Sequence, residues 1–388
     1  MKIIQSSPFN LLAYGLSLIS YMTLMLSIPL IDTIADSLQV HVSQIHLGMS
    51  LLFFLFSLSA ILFSILSDIF GAYTTLKFAQ ITSLFGLLLL ANTHDITVFY
   101  LGCTLIGAGT GCYSPIGRAL LLRHTNNPKA IKIFTSKISI CVILAPILAS
   151  ILARGMAFFD WRYAYYCMFI IELTLLIVSQ IILKNDRQQL LLIRNIKKTL
   201  WHCLSQKSFI LNTLSTGVGY AVFMQTIMGN VHSILSQTRM LNYNEMNEII
   251  LGLSAVYIIG IFTFRKLINL DNLPLVRLLF VATFLCGSGL LFYSETHFLL
   301  SVIALYIISF TIGFLNPMSS SYAMANIKLG QGMASALLTF SFAFVSSLYS
   351  LAQANLMLSN EAFTLSAMFA SFFFLLFIAI SLVRYKFN

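Results

Sequence analysis

Charge is what this chain lacks. Only 9% of its 388 residues are Asp, Glu, Lys or Arg, against about 25% in an ordinary soluble domain. Hydrophobic residues make up 59%, with a mean hydropathy of +0.91. No water-soluble core can hide that much apolar surface, so a soluble globular class is excluded. Paired cysteines are also missing: Cys103, Cys112, Cys141, Cys167, Cys203 and Cys286 form no CxxC and show no metal-ligand spacing, and neither disulfides nor structural zinc is expected. There is no GxSxG, Walker loop, HExxH or GxGxxG in a strand-helix setting, which removes the corresponding hydrolase, nucleotide, zinc and dinucleotide chemistries. The expectation is a protein that is not an enzyme, carries no cofactor and cannot itself spend ATP.

Long apolar runs are what the chain has instead. A membrane-crossing helix takes ~20 mostly apolar residues, and twelve stretches qualify: 10–32, 46–67, 74–93, 97–121, 133–153, 162–183, 208–233, 247–263, 274–293, 298–318, 332–357 and 362–383. The first follows a single lysine and runs into Asp32 and Asp36 without a small-x-small cleavage site, so it reads as a retained span rather than a signal peptide. Connections are short except for 184–207, which holds Lys184, Arg187, Arg194, Lys197, Lys198 and Lys207. The expected architecture is an all-α membrane protein: residues 1–183 as an amino-terminal six-helix bundle, 184–207 as a basic cytoplasmic linker and 208–388 as a carboxyl-terminal six-helix bundle.

The cations orient these spans. With the amino terminus in the cytoplasm, eighteen of the 22 Lys and Arg fall at cytoplasmic ends or loops, and only Arg154, Arg162 and Arg239 fall outside, with Lys137 inside the fifth span. Basic residues near helix ends resist translocation, so both termini and the linker are expected to be cytoplasmic. The net charge of +10 is then a record of topology, not a nucleic-acid surface, because the cations form no continuous patch.

Ionisable groups within spans are costly and tend to face a cavity or a partner. Three stand out. Arg118 lies about a turn from the cytoplasmic end of the fourth span, on one stripe with Gly107, Gly111 and Ser114 by the i, i+4 rule. That stripe permits close helix packing or leaves room for a ligand, and Arg118 reads as a substrate or gating contact or as a residue snorkelling to the headgroups. Lys137, two turns before Pro146, carries the same pair of readings. Glu172 is the only carboxylate deep in a span; it is a candidate for proton coupling or a neutral acid hydrogen-bonded between helices. Among uncharged groups, Tyr21, Tyr113, Tyr220 and Tyr322 are candidates to line a path, with packing or interface anchoring as the rival role. The seventh span supplies Asn212, Thr216, Gln225 and Asn230, and the tenth ends in Asn316-Pro317, where proline frees a backbone carbonyl.

Between the second and third spans the chain reads Ser64-Ile65-Leu66-Ser67-Asp68-Ile69-Phe70-Gly71. This resembles the signature loop of the major facilitator superfamily. Ile28-Pro29-Leu30 through Ile34-Ala35 and Leu38, Leu144-Ala145-Pro146-Ile147-Leu148-Ala149 and Asp160-Trp161-Arg162 resemble the bicyclomycin and chloramphenicol resistance type of drug-efflux branch. The resemblance implies twelve helices in two pseudo-symmetric halves around a central cavity, with Asp68, Gly71 and Pro146 in gating roles. This sequence departs from that branch: the basic positions of the signature loop are Ile69, Ala72 and Tyr73, with Lys77 following. The buried acid of the first helix is Met25, and the arginine of the fourth is Cys103. With the usual proton-coupling pair missing, the expected function is a secondary transporter in a bacterial inner membrane. It would move a small organic solute, most simply outward, by rocking of two halves. Arg118 and Lys137, with Tyr113, Tyr21, Gln225 and Asn316, are the candidate substrate contacts and favour an anionic cargo such as a carboxylate metabolite or siderophore. The alternatives are a multidrug/proton antiporter for hydrophobic drugs and a membrane sensor or assembly partner that transports nothing. The expected partners are the solute and the lipid bilayer, with no nucleic acid, and the expected state is a monomer.

Overall fold

The computed structural model describes residues 8–123, 128–184, 200–224, 231, 235, 243–267, 273–293, 297–325, 327 and 331–356. Among them there is helix and no strand, as a backbone that must satisfy its own polar groups in lipid requires. The helices, in chain order, are α1 (Pro8–Met25), α2 (Ile31–Leu38), α3 (Val42–Phe70), α4 (Ala72–Ala91), α5 (Ile96–Thr110), α6 (Tyr113–Arg123), α7 (Pro128–Ala157), α8 (Arg162–Leu183), α9 (Lys207–Ala221), α10 (Tyr243–Leu267), α11 (Leu273–Tyr293), α12 (Phe298–Ala325) and α13 (Gln331–Leu356). Nine helical segments among the described residues are long and apolar enough to cross a membrane. The expected stretch 362–383 lies outside the described residues.

Two of the expected spans are interrupted. The first stops at Met25, tightens into a 3-10 turn over Ile28–Leu30 and resumes as α2. Pro29 has no N–H for a helical ladder, and the Ser27 hydroxyl pairs with Tyr165 Oη at 2.7 Å. The fourth span breaks between α5 and α6 at Gly111 and Cys112, where Pro115 cannot donate to the Gly111 carbonyl. The tenth runs on through Pro317 to Ala325 rather than ending there. The Ser320 and Ser321 hydroxyls donate to the Pro317 carbonyl at 3.0 and 2.7 Å.

The described chain forms two compact units. The first comprises residues 1–205 and 327–354, so α13 packs with α1 to α8; the second comprises 206–326 and 355–388. In the first unit α8 shows how the helices are sided: Ile170, Leu173, Ile177, Val178 and Ile181 are exposed, while Tyr165, Met168, Glu172, Leu175, Ser179 and Leu183 are buried. Apolar groups face outward and the polar ones inward, as a lipid solvent demands.

Helices approach closely where glycine allows it. A Cβ on Gly107 would run into the Leu52 carbonyl oxygen of α3, and one on Gly111 into that of Phe56. The glycine stripe of the fourth span is therefore a packing surface against α3 rather than room for a ligand. The second unit repeats the device: Gly313 of α12 sits on the Tyr257 carbonyl of α10, and Gly260 of α10 on the Phe310 carbonyl of α12.

Candidate functional site

Arg118 sits on α6, and its Nη1 donates to Ser335 Oγ of α13 at 3.3 Å. Its Nε is buried without a hydrogen-bond partner, and no carboxylate pairs with the guanidinium among the described residues. The Tyr21 hydroxyl of α1 adjoins this guanidinium together with Ser114 and Thr339. Ser17 Oγ donates to Ser114 Oγ at 3.4 Å and Ser20 Oγ to the Thr110 carbonyl at 2.9 Å. Arg118 thus enters a ring of hydroxyls contributed by α1, α6 and α13. Above it Tyr21 packs against Phe342 and Phe56, with ring centroids 5.8 and 6.0 Å apart.

Lys137 is exposed on α7, with Nζ 5.9 Å from the centroid of the Tyr14 ring, within reach of a cation–π contact. Tyr14, Ser17 and Tyr21 are three and seven residues apart and share one face of α1. Gly117, next to Arg118, lies against Ala13, next to Tyr14, its added Cβ being 3.1 Å from the Ala13 carbonyl oxygen. The two cations therefore border one face of α1, Lys137 at Tyr14 and Arg118 two turns on at Tyr21. A guanidinium with an unused donor and an ammonium along one hydroxyl-lined helix face suit an anion, because charge attraction in a partly dehydrated setting exceeds its value in water.

Tyr113 and Glu172 meet elsewhere in the same unit. Tyr113 Oη donates to Glu172 Oε1, both residues are fully buried, and Tyr113 packs with Leu76, Ile116 and Leu175. The structure brings Tyr113 to the acid between α4, α6 and α8 and not to the Arg118 hydroxyls.

The motif residues occupy both ends of the bundle. Gly71, between α3 and α4, has φ 90°, a conformation that glycine adopts without strain, and its N–H donates to the Ser67 carbonyl at 3.0 Å. Asp68 is half-buried in the last turn of α3 and Lys77 is exposed. Pro146 is buried in α7 beside Ala145 and Ala149, both fully buried. At the other end Arg162 pairs with Asp160 at 3.2 Å, donates through Nε to the Thr93 carbonyl at 2.8 Å, meets His94 at 3.2 Å and stacks on Trp161 at 4.6 Å. Asp160-Trp161-Arg162 thereby fastens the start of α8 to the α4–α5 connection.

In the second unit Asn316 is fully buried; its Nδ2 donates to Tyr257 Oη at 3.1 Å while Oδ1 has no partner. Tyr220 adjoins the same Tyr257 hydroxyl. Gln225 lies outside the described residues. Sequence reasoning missed Ser335 and Thr339, whose signal was only their i, i+4 spacing in a serine-rich helix. It also missed Ser83 beside Glu172 and, two turns along α8, the Ser179–Gln80 pair.

Met25 and Cys103, where a drug antiporter of the resembled branch would carry an acid and an arginine, are both buried and uncharged. No curated protein matches the chain. The family model described as Major Facilitator Superfamily matches residues 12–350, a family of secondary transporters rather than enzymes. Since that match runs from the first membrane helix into α13, the chain belongs to the Major Facilitator Superfamily and is a multi-pass membrane protein.

Proposed function

We propose that this protein moves a small organic anion across a bacterial inner membrane by alternating access, with export as the working direction. Twelve spans in two six-helix halves divided at 184–207 carry the cycle, with Asp68, Gly71 and Pro146 at the gates. The reading is supported above all by Arg118, a membrane-embedded cation with a single hydroxyl partner, a buried unpartnered Nε and no acid beside it among the described residues. A purely structural arginine at such a site would need its donors satisfied, whereas a carboxylate or similar cargo group satisfies them in the loaded state. Lys137 of α7, beside Tyr14 on the same face of α1, adds the second positive charge. Buried, uncharged Met25 and Cys103 set the reading apart from a proton antiporter for cationic drugs.

Flux of radiolabelled mono- and dicarboxylates in proteoliposomes, beside a cationic dye as control, tests the proposal. Arg118→Gln and Lys137→Gln should each lower uptake or efflux of an accepted anion by about tenfold or more, the loss of a charge-assisted contact of roughly 1.5–3 kcal/mol. Arg118→Lys should recover only part of it, because an ammonium lacks the planar fork. Equal flux in both glutamine variants would return the cations to lipid anchoring. Flux of the dye alone would favour drug efflux, and no flux of any solute would favour a sensor or assembly partner.

A further inference from the structure

Between α4 and α8 runs a seam of buried polar groups that the Arg118 site does not use. Its deep end is Glu172, halfway along α8, with Oε1 held by Tyr113 and Oε2 without a partner. Ser83 of α4 adjoins both side chains within reach of a hydrogen bond, and its hydroxyl has no partner at full hydrogen-bond geometry. Further along, Gln80 accepts from Ser179 Oγ at 2.8 Å through Oε1, leaving Nε2 unpartnered. At the other end, Thr75 Oγ1 and Gln180 Oε1 are unpartnered as well, and Gln180 Nε2 donates to the Tyr73 carbonyl at 3.4 Å.

Five orphaned polar atoms in one seam are unusual, since buried donors and acceptors are almost always satisfied. Thr75, Gln80 and Ser83 fall within a ~140° arc of α4, and the eight residues from Thr75 to Ser83 span ~12 Å at ~1.5 Å per residue. Glu172 and Ser179 are two turns apart on the facing side of α8. Thr75 lies one turn inside α4 and Gln180 one turn from the end of α8, at the end that the cation distribution assigns to the cytoplasm. The seam runs beside apolar Leu76, Ala79, Leu175 and Leu183, and unpartnered donors and acceptors on facing helices are groups that bridging water can satisfy.

We propose that Glu172 is an exchangeable proton site and that the Thr75–Gln80–Ser83 seam is its water-bridged route to the cytoplasmic face. A protonated water at the inner end of the seam gives up one O–H bond as an O–H bond forms at Oε2, leaving neutral water, and the return step reverses this exchange. No cation faces this carboxyl among the described residues. Tyr113 and Cys112 of α6 are the titratable neighbours, and α4 offers Ser83 and Gln80. Tyr113 is also the first residue of α6, five residues before Arg118, so one short helix carries both the partner of the proton site and the cation of the cargo site. The use of the proton in a transport cycle rests on the proposed function; the site and the route do not.

Difference infrared spectroscopy on the reconstituted wild-type protein, without cargo, tests both. The carbonyl stretch of a protonated carboxyl should rise and fall reversibly with pH and be lost in Glu172→Gln. In Tyr113→Phe it should shift to higher frequency, because the carbonyl loses its donor. After transfer to D₂O, Thr75→Val and Ser83→Ala should slow deuteration of the band on the order of tenfold, Thr75→Val while leaving its amplitude unchanged. A band that does not respond to pH, or one that survives in Glu172→Gln and does not move in Tyr113→Phe, overturns the site. Deuteration at the wild-type rate in both seam variants overturns the route. These readouts need no solute, so they are separable from a failure to find a transported anion.

Discussion

At the scale of single residues, the fastening by Arg162 shows how one side chain can replace a loop's own structure. The guanidinium bonds to Asp160, Thr93 and His94 and covers Trp161, and Trp161 in turn meets Tyr165 edge-on at 5.8 Å. Arg162→Ala removes charge-assisted bonds of roughly 1.5–3 kcal/mol apiece, reduced here by the half-exposed ion pair, whose own contribution is about 1 kcal/mol or less. The expected result is a lower unfolding temperature in detergent, with Arg162→Lys intermediate because an ammonium cannot address carboxylate and carbonyl in one plane. An unchanged transition in Arg162→Ala would show that the fastening adds nothing to stability. Arg162 was legible in the sequence as part of a motif, but its partners were not, since Thr93 and His94 lie about 70 positions away and carry no signal of their own.

At the scale of elements, packing depends on where side chains are absent. Gly107 and Gly111 let α5 lie on the α3 backbone, and Gly313 does the same for α12 on α10. Gly107→Leu should cost about 1–3 kcal/mol by overpacking. It should also lower the yield of monodisperse protein in gel filtration, whereas Gly155→Ala, with nothing within 4 Å of the added Cβ, should leave the yield unchanged. The helices themselves were legible because lipid demands long apolar runs, and the stripe was legible because glycine recurs at helical spacing. Which of its two readings held was not, because the same glycines serve a cavity or a contact and only the facing helix decides. The breaks at Ser27 and at Gly111 were likewise hidden, although Pro29 and Pro115 each removed a backbone donor. The partner of Arg118 was the least legible part of the site: Ser335 is uncharged, and it reaches the guanidinium only because α13 packs with the first unit.

At the scale of the whole molecule, the distribution of Lys and Arg makes the proposed topology directly testable. Reporters fused after Asn195 and after Asn388 should both remain on the cytoplasmic side, while one inserted at Asp95 or Asp160 should be external. An external signal at residue 195 would overturn the twelve-span arrangement. Inside the first unit, α13 is joined to α6 through Arg118 and Ser335 and to α3 through the reciprocal pair Ser50 and Ser347. There Ser50 Oγ donates to the Ser347 carbonyl at 3.1 Å and Ser347 Oγ to the Ser50 carbonyl at 3.0 Å. Hydroxyl bonds of this kind contribute about 1 kcal/mol each, so thermal fluctuation alone undoes such a tie often. With the apolar packing of Phe342 on Tyr21 and Phe53, these ties set the difference that the proposed cycle would have to balance with a second arrangement only a few kcal/mol away. A solute of modest affinity is then enough to decide which population dominates, provided that it binds one arrangement better than the other.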